Sequence, residues 1–403
     1  MILNLKAIPV KILLPVAHSG DIETTLICTP FSDKLINELS LLGTYLMSRG
    51  RTTSSIVATG YWLRKSHLLS IKSQYPTDEL QAKGMVFHIA PGNVDTLFFY
   101  SMIISVLCGN QTLLRMSNDL NEDAQKLLKF INQFLSESSN IILLPSLMTV
   151  IQYKYNDQVT AEISACSTAR VIWGSDQTIE NISKFPLSTI LQEESEVSSN
   201  NICFPDRYSV AIIQLDDETD IESASENLLR DIKPYFQQAC SSPKVIYWLN
   251  TAQGLQDKFW KRVSQHLSAQ EKLDVADLMS QLLFVQRLPL LLNTQKINKN
   301  KTLLKKYDVI QVVEVESLTL DSIKSHTGLW VLLSKQIKHL DEIKLFEHCQ
   351  TVTMSGLDQS DCLSWKETTP QPMKRVVPAG QALAFSHVWD GVDLVKELTI
   401  KSF

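Results

Sequence analysis

The order of apolar and polar residues predicts strands and helices in alternation. In Ser32–Met47, Leu35, Ile36, Leu39, Leu42 and Leu46 recur at helical spacing, and Gly50 is placed to end the helix. Thr53–Ser70 reads as another helix, with Leu63 and Leu68 inward and Arg64 and Lys65 outward. From Gly84 the pattern sharpens. Met85–Ile89 is a short apolar strand closed by Pro91-Gly92-Asn93, and Val94–Cys108 is apolar almost all round, as a helix buried against a sheet is. Gln111–Met116 is a second strand, and Asn121–Leu135 is an amphipathic helix opened by Glu122 and Asp123. Leu147–Tyr155 (strand), Gln158–Ala165 (helix), Ala169–Trp173 (strand) and Asp176–Ser183 (helix) continue the series. Such spacing implies a parallel sheet covered on both faces.

The second half repeats the theme. Tyr208–Leu215 is a strand, an acidic turn follows, and a helix over Ile221–Tyr235 leads to Cys240. Val245–Leu249 is the next strand, Gln253–Leu267 a helix, and Val309–Val315 a further strand. Ser355–Pro372 is polar and reads as a loop; the tail returns through Val376-Val377-Pro378 and Trp389-Asp390-Gly391. At 403 residues there is room for two domains. The expected class is α/β, with domains over 1–208 and 209–375 and a C-terminal segment, 376–403, that packs back or bridges subunits.

Composition narrows the function. A net charge of −5 with no long basic run argues against nucleic acid as the main partner. Seven cysteines, odd in number and never in a C-x-x-C pair, argue against a disulfide framework and a zinc site and fit a reducing compartment. No metal ligand set is expected. Lys11, Pro9 and Pro15 interrupt the apolar N-terminus, unlike a signal peptide, and Leu97–Cys108 is too short to span a bilayer. The expected setting is cytoplasmic.

The chemistry centres on Asp231–Pro243, D-I-K-P-Y-F-Q-Q-A-C-S-S-P. Cys240 stands between a helix and a strand, where a thiol can be partly exposed and local donors and dipoles can favour the thiolate, a nucleophile. The other use of such a cysteine is as a small buried hydrophobe.

By this point the chain resembles the acyl-CoA reductases of the bacterial luciferase (fatty-acid reductase) system, distant members of the aldehyde dehydrogenase superfamily. The segments that carry the resemblance are H-I-A-P-G-N-V (88–94), C-G-N-Q-T-L-L-R-M-S (108–117), V-I-W-G-S-D-Q-T-I (171–179), F-P-D-R-Y-S (204–209), Q-Q-A-C-S-S-P (237–243) and V-P-A-G-Q-A-L-A-F-S-H-V-W-D-G (377–391). The resemblance implies an aldehyde dehydrogenase-like fold: a variant Rossmann cofactor domain over 1–208 and an α/β catalytic domain carrying the nucleophile over 209–375.

It also implies roles. Cys240 would accept an acyl group, and Asn93, after the strand and the Pro-Gly turn, would donate its side-chain amide to the oxyanion beside the Cys240 backbone N–H. The chain lacks G-x-G-x-x-G, as aldehyde dehydrogenases do; Gly174 and Ser175, ahead of a helix N-terminus, would approach the pyrophosphate. Arg115 stands where the superfamily commonly has a lysine at the adenosine ribose. Ser117 and the uncharged Asn118, where NAD-preferring members carry a glutamate, would accommodate a 2′-phosphate, which points to NADPH. Phe204 stands where hydrolytic members have a general-base glutamate, so the acyl-enzyme would survive for hydride transfer; Asp206 would undo this if it pointed into the site. Gln237 replaces the superfamily's glycine, and no histidine neighbours Cys240 in sequence. His88 is expected to be only a strand-end residue.

The implied activity is reduction of an acyl-CoA or acyl-protein thioester to an aldehyde, in a homo-oligomer supplied by an acyl-protein synthetase partner. The alternatives are an oxidative aldehyde dehydrogenase and a catalytically idle subunit that binds acyl or partner chains.

Overall fold

The computed structural model describes residues 2–15, 20–24, 27–90, 97–116, 120–188, 200–268, 273–292, 303–368 and 373–401. The chain divides into two compact units, Met1–Pro205 with Phe385–Phe403, and Asp206–Ala384.

The first unit is built on a six-stranded sheet. In chain order its strands are β1 (Lys11–Leu14), β2 (Met85–Ile89), β3 (Gln111–Met116), β4 (Met148–Gln152), β5 (Ala169–Gly174) and β6 (Asn201–Pro205), arranged β1-β4-β3-β2-β5-β6. Only β1 is antiparallel to its neighbour. β2 lies at the centre and every residue of it is buried, so apart from His88 it is apolar on both faces instead of alternating. Helix α1 (Asp33–Arg49) turns Leu35, Ile36, Leu39, Leu42 and Leu46 into the core, and Gly50 caps it by donating to the Leu46 carbonyl. Helix α2 (Leu97–Leu107) packs into the same core through Phe99, Met102, Ile103 and Val106. Helix α3 (Glu122–Glu137) starts where the Asn121 side chain accepts from Ala124 N at 2.8 Å. At the other end of the unit, Thr399–Lys401 pairs antiparallel with Leu80–Ala82.

The expected helix over Thr53–Ser70 is instead two, Ser54–Trp62 and Lys65–Lys72, because Arg64 is extended (φ −60°, ψ 140°). The break lets buried Leu63 press against Gly43, where an added Cβ would stand 2.7 Å from that of Leu63.

The second unit holds a seven-stranded sheet made of β7 (Tyr208–Ile213), β8 (Pro243–Leu249), β9 (Leu303–Tyr307), β10 (Ile310–Glu314), β11 (Val331–Ile337), β12 (Cys349–Ser355) and β13 (Arg375–Pro378). Their order is β9-β10-β11-β8-β7-β12-β13, with only β9 antiparallel. Apolar side chains cover both faces: Val210, Val245, Tyr247 and Val331 on one, Ala211, Ile246, Trp248 and Leu332 on the other. Helix α4 (Asp220–Ile232) ends three residues before the expected Tyr235, and a 3-10 turn, Pro234–Gln237, follows it. Within the expected Ser355–Pro372 loop, Gln359–Thr368 is helical and anchored by buried Trp365.

Candidate active site

In the first unit, the first, second and fourth parallel strands in sequence (β2, β3 and β5) lie side by side as β3-β2-β5, so the chain reverses its direction of travel across the sheet at β2. The carboxyl ends of β2 and β5 therefore form a topological switch point, the place where open α/β sheets bind ligands. Gly174 ends β5, and Ser175 caps helix α5 (Asp176–Ser183), its Oγ accepting from Thr178 N at 3.3 Å. A Cβ on Gly174 would stand 3.0 Å from Thr178 Cγ2, so a larger residue would crowd this turn. Arg115 reaches the same edge from β3. Its carbonyl accepts from Ala90 N at 3.0 Å, and its guanidinium lies 4.9 Å from the centre of the Tyr153 ring. Its Nε is buried without a hydrogen-bond partner among the described residues. Asn93, Ser117 and Asn118 lie outside the described residues.

Phe204, on β6, is buried and stacks on Trp173 of β5 with ring centres 4.2 Å apart and planes 21° from parallel. His88 is fully buried in β2, its Nδ1 lying 3.3 Å from Ser101 Oγ, and burial holds its pKa down to about 3, so it stays neutral.

Cys240 belongs to the second unit and lies ahead of β8, at the amino-terminal edge of that sheet. Three residues before the strand it is half-buried, and its carbonyl oxygen accepts from Ser209 Oγ at 2.8 Å. The loop is held under strain. Tyr235, Phe236 and Gln237 all take left-handed backbone angles (φ 58°, 50° and 63°), each costing on the order of 1 kcal/mol for a residue with a Cβ. The superfamily's glycine would fit Gln237's position freely. Here the cost is offset by contacts: buried Gln237 Nε2 donates to the carbonyls of Pro243 (2.8 Å) and Val331 (2.9 Å), and Leu329 N donates to Phe236 O (2.8 Å). Gly328, at φ 73°, packs so closely on this turn that a Cβ would stand 2.8 Å from Gln237 O.

The helix ahead of Cys240, α4, ends at Ile232, and the 3-10 turn Pro234–Gln237 separates it from the cysteine. Lys244, half-buried at the start of β8, is a cation within electrostatic reach of Cys240. Burial lowers its pKa, while the Cys240 sulfur and the Asp206 carboxylate act to raise it. Asp206 is exposed, and its charge is engaged with Lys244. His326, buried, accepts from Gly328 N at Nδ1 (3.0 Å) and is held neutral by burial and then by Lys244. Sequence order alone had hidden Lys244, Ser209 and His326. The one available signal for Lys244 was a lone cation four residues past the cysteine in an apolar strand.

The fold is that of the aldehyde dehydrogenases. A methylmalonate-semialdehyde dehydrogenase from Oceanimonas doudoroffii superposes with a TM-score of 0.62 at 13% identity over 94% of this chain and 86% of its own. An NAD-dependent benzaldehyde dehydrogenase from Corynebacterium glutamicum gives 0.60 at 12%, also over 94% and 86%. Within that fold the chain belongs to the acyl-CoA reductase (LuxC) family, whose model matches residues 68–278, just over half of its length and including Cys240. Among relatives, a long-chain acyl-protein thioester reductase 2 from Photobacterium leiognathi is 23% identical over 188 residues, 46% of this chain and 36% of its own length. A long-chain acyl-protein thioester reductase from Aliivibrio fischeri is 26% identical over 173 residues, 42% and 33%. The chain thus matches about a third of the length of these curated relatives. Among the described residues no helix is long and apolar enough to cross a membrane.

Proposed function

We propose that the protein reduces an acyl group, delivered as an acyl-CoA or acyl-protein thioester, to an aldehyde through an acyl-Cys240 intermediate. What carries the reading is the Cys240 loop: a strained backbone, tied down by Gln237 and Ser209, holds a half-buried cysteine in a chain of the acyl-CoA reductase family. Strain kept by compensating contacts is a mark of functional loops.

The Cys240 sulfur attacks the thioester carbonyl and expels the donor thiol. The oxyanion is held by the Cys240 backbone N–H and the Asn93 amide, the latter role resting on the resemblance. Gly174, Ser175 and Arg115, with Ser117 and Asn118 beyond the described residues, would hold NADPH at the switch point; once bound, it supplies hydride. Arg115, at the carboxyl end of β3, would supply the cation for the 2′-phosphate that separates NADPH from NADH. Addition of hydride to the acyl carbon leaves a thiohemiacetal on Cys240, and breaking its C–S bond releases aldehyde and returns the electron pair to sulfur. Phe204 places an aromatic ring, packed in the core, where the resemblance puts the water-activating carboxylate of hydrolytic relatives. A homo-oligomer and an acyl-protein synthetase partner complete the proposal.

Steady-state turnover with acyl-CoAs of graded chain length and NADPH, with aldehyde trapped as its hydrazone, tests this. Aldehyde formed in step with NADPH consumed is the expected result; carboxylic acid made from aldehyde and NADP+ without CoA would revive the oxidative reading.

A further inference from the structure

We propose that a cavity beside the Cys240 loop receives the pantetheine arm of the acyl donor, with Arg287 taking the phosphate that ends the arm. This rests on the acyl-cysteine reading above and names the class of thioester it uses, a phosphopantetheine thioester.

The second unit assembles the cavity by a chain of contacts that ends at the cysteine loop. The helix Val275–Leu291 begins where the Asp274 side chain accepts from Asp277 N at 2.8 Å. Two contacts lay it on the turn that precedes β11. Buried Gln281 donates through Nε2 to Leu329 O at 2.8 Å, and the ring centres of Phe284 and His326 are 4.8 Å apart. The same turn is fastened to the Cys240 loop, because Leu329 N donates to Phe236 O at 2.8 Å. Gly328 comes so close that a Cβ there would stand 2.8 Å from Gln237 O. Sheet register makes this meeting necessary. β8 and β11 are parallel neighbours, with Val245 opposite Leu333, so the loop ahead of one and the turn ahead of the other leave the sheet at the same amino-terminal edge.

Between the helix and the turn lies a cavity of about 200 Å³. Ser280, Phe284, Arg287 and Leu291 line it from the helix, Ser325 and Thr327 from the turn. Thr327 directly precedes Gly328, so successive residues make the cavity wall and the contact with Gln237, three positions before Cys240.

Size and lining select the ligand. The volume is below the roughly 300–1,000 Å³ of sites that enclose whole small molecules, so the cavity suits a chain and not a nucleotide. An alkyl chain would match Phe284 and Leu291. It would offer nothing to Arg287, or to Thr327, whose Oγ1 is buried with no hydrogen-bond partner among the described residues. A pantetheine arm alternates methylenes with amides and so meets both kinds of wall. Its sulfur end is the thioester that Cys240 attacks, and its other end is a phosphate, which a guanidinium binds through paired hydrogen bonds. Arg287 is exposed, as a cation for an anion at the mouth should be.

The test presents one acyl group on four donors: N-acetylcysteamine, pantetheine, 4′-phosphopantetheine and CoA. A carrier protein bearing the same acyl-phosphopantetheine is run beside CoA to tell the two sources apart. Acyl-Cys240 is checked by mass spectrometry, and kcat/KM for aldehyde is measured on wild type, R287A, R287K and T327V, with thermal melts showing that each is folded. Wild type should prefer phosphopantetheine to pantetheine by about tenfold or more, a preference lost in R287A and largely kept in R287K. T327V should reduce the advantage of pantetheine over N-acetylcysteamine by about threefold or more. The source is whichever of CoA and carrier protein loses kcat/KM in R287A; no loss with either overturns the inference. Equal use of phosphopantetheine and pantetheine by wild type overturns it too. So does a raised KM for NADPH in R287A with the donor preference intact, which gives the cavity to the cofactor. Each of these results leaves the acyl-cysteine reading standing. If no donor labels the Cys240 peptide, that reading itself fails, and this inference with it.

Discussion

Ser209 donates its hydroxyl proton to the carbonyl oxygen of Cys240 at 2.8 Å and accepts from Thr351 N at 3.2 Å. One buried side chain thus ties the loop carrying the nucleophile to two adjoining strands, β7 on which it sits and β12. S209A leaves a buried N–H and a loop carbonyl without this partner, which costs about 1–3 kcal/mol. Urea denaturation should show that loss, and aldehyde formation should slow more than acyl-CoA binding weakens, since the substitution displaces the sulfur rather than removing a substrate contact.

Gly328 is the counterpart on the other side of the loop. G328A places a Cβ 2.8 Å from Gln237 O at a residue with φ 73°. Clash and left-handed strain together should cost roughly 1–3 kcal/mol. The thermal midpoint should fall, and Cys240 alkylation should slow in the part of the protein that stays folded.

Stability should depend on pH through Asp231. Its carboxylate is buried, accepts from Gly380 N (2.7 Å) and Ala382 N (2.8 Å), and is pushed up to about 6, because desolvation outweighs those bonds and the field of Arg375. A folded pKa above the unfolded one means that the native state holds the extra proton. The contribution is complete below the ordinary aspartate range near pH 4 and is lost as pH rises through 6. Linkage makes it worth about 3 kcal/mol. Urea unfolding of wild type should therefore lose stability between pH 4.5 and 7 relative to D231N, in which this component is missing.

Cofactor choice should follow Arg115. R115A removes the guanidinium whose Nε lies buried at the carboxyl end of β3. The KM for NADPH should rise by about tenfold or more, as expected for losing a charge-assisted hydrogen bond. The KM for NADH should change little. Equal effects on both would place Arg115 away from the 2′-phosphate.

Much of this was legible in the sequence for definite reasons. Met85–Ile89 could be read because a central parallel strand is apolar on both faces, and Asp176–Ser183 because Ser175 is a ready cap. The break at Arg64 was hidden because helical spacing runs on across it. The helix at Gln359–Thr368 was hidden because Trp365 is the only buried one among its described side chains. The cysteine was legible, its electrostatics were not. Whether the charges of Lys244 and Asp206 act on one another is settled by packing of strands apart in sequence. Gln237 shows the same limit: a glycine position filled by glutamine looks like a departure until its side chain is seen bonding Pro243 and Val331 across the sheet edge.

The most direct measurement adds labelled acyl-CoA to the protein without NADPH, digests it, and locates the label by mass spectrometry. The account requires the acyl group on the peptide bearing Cys240, absent in C240S, and its discharge as an equal amount of aldehyde once NADPH is added. Label on another residue, or aldehyde made by C240S at the wild-type rate, would contradict it.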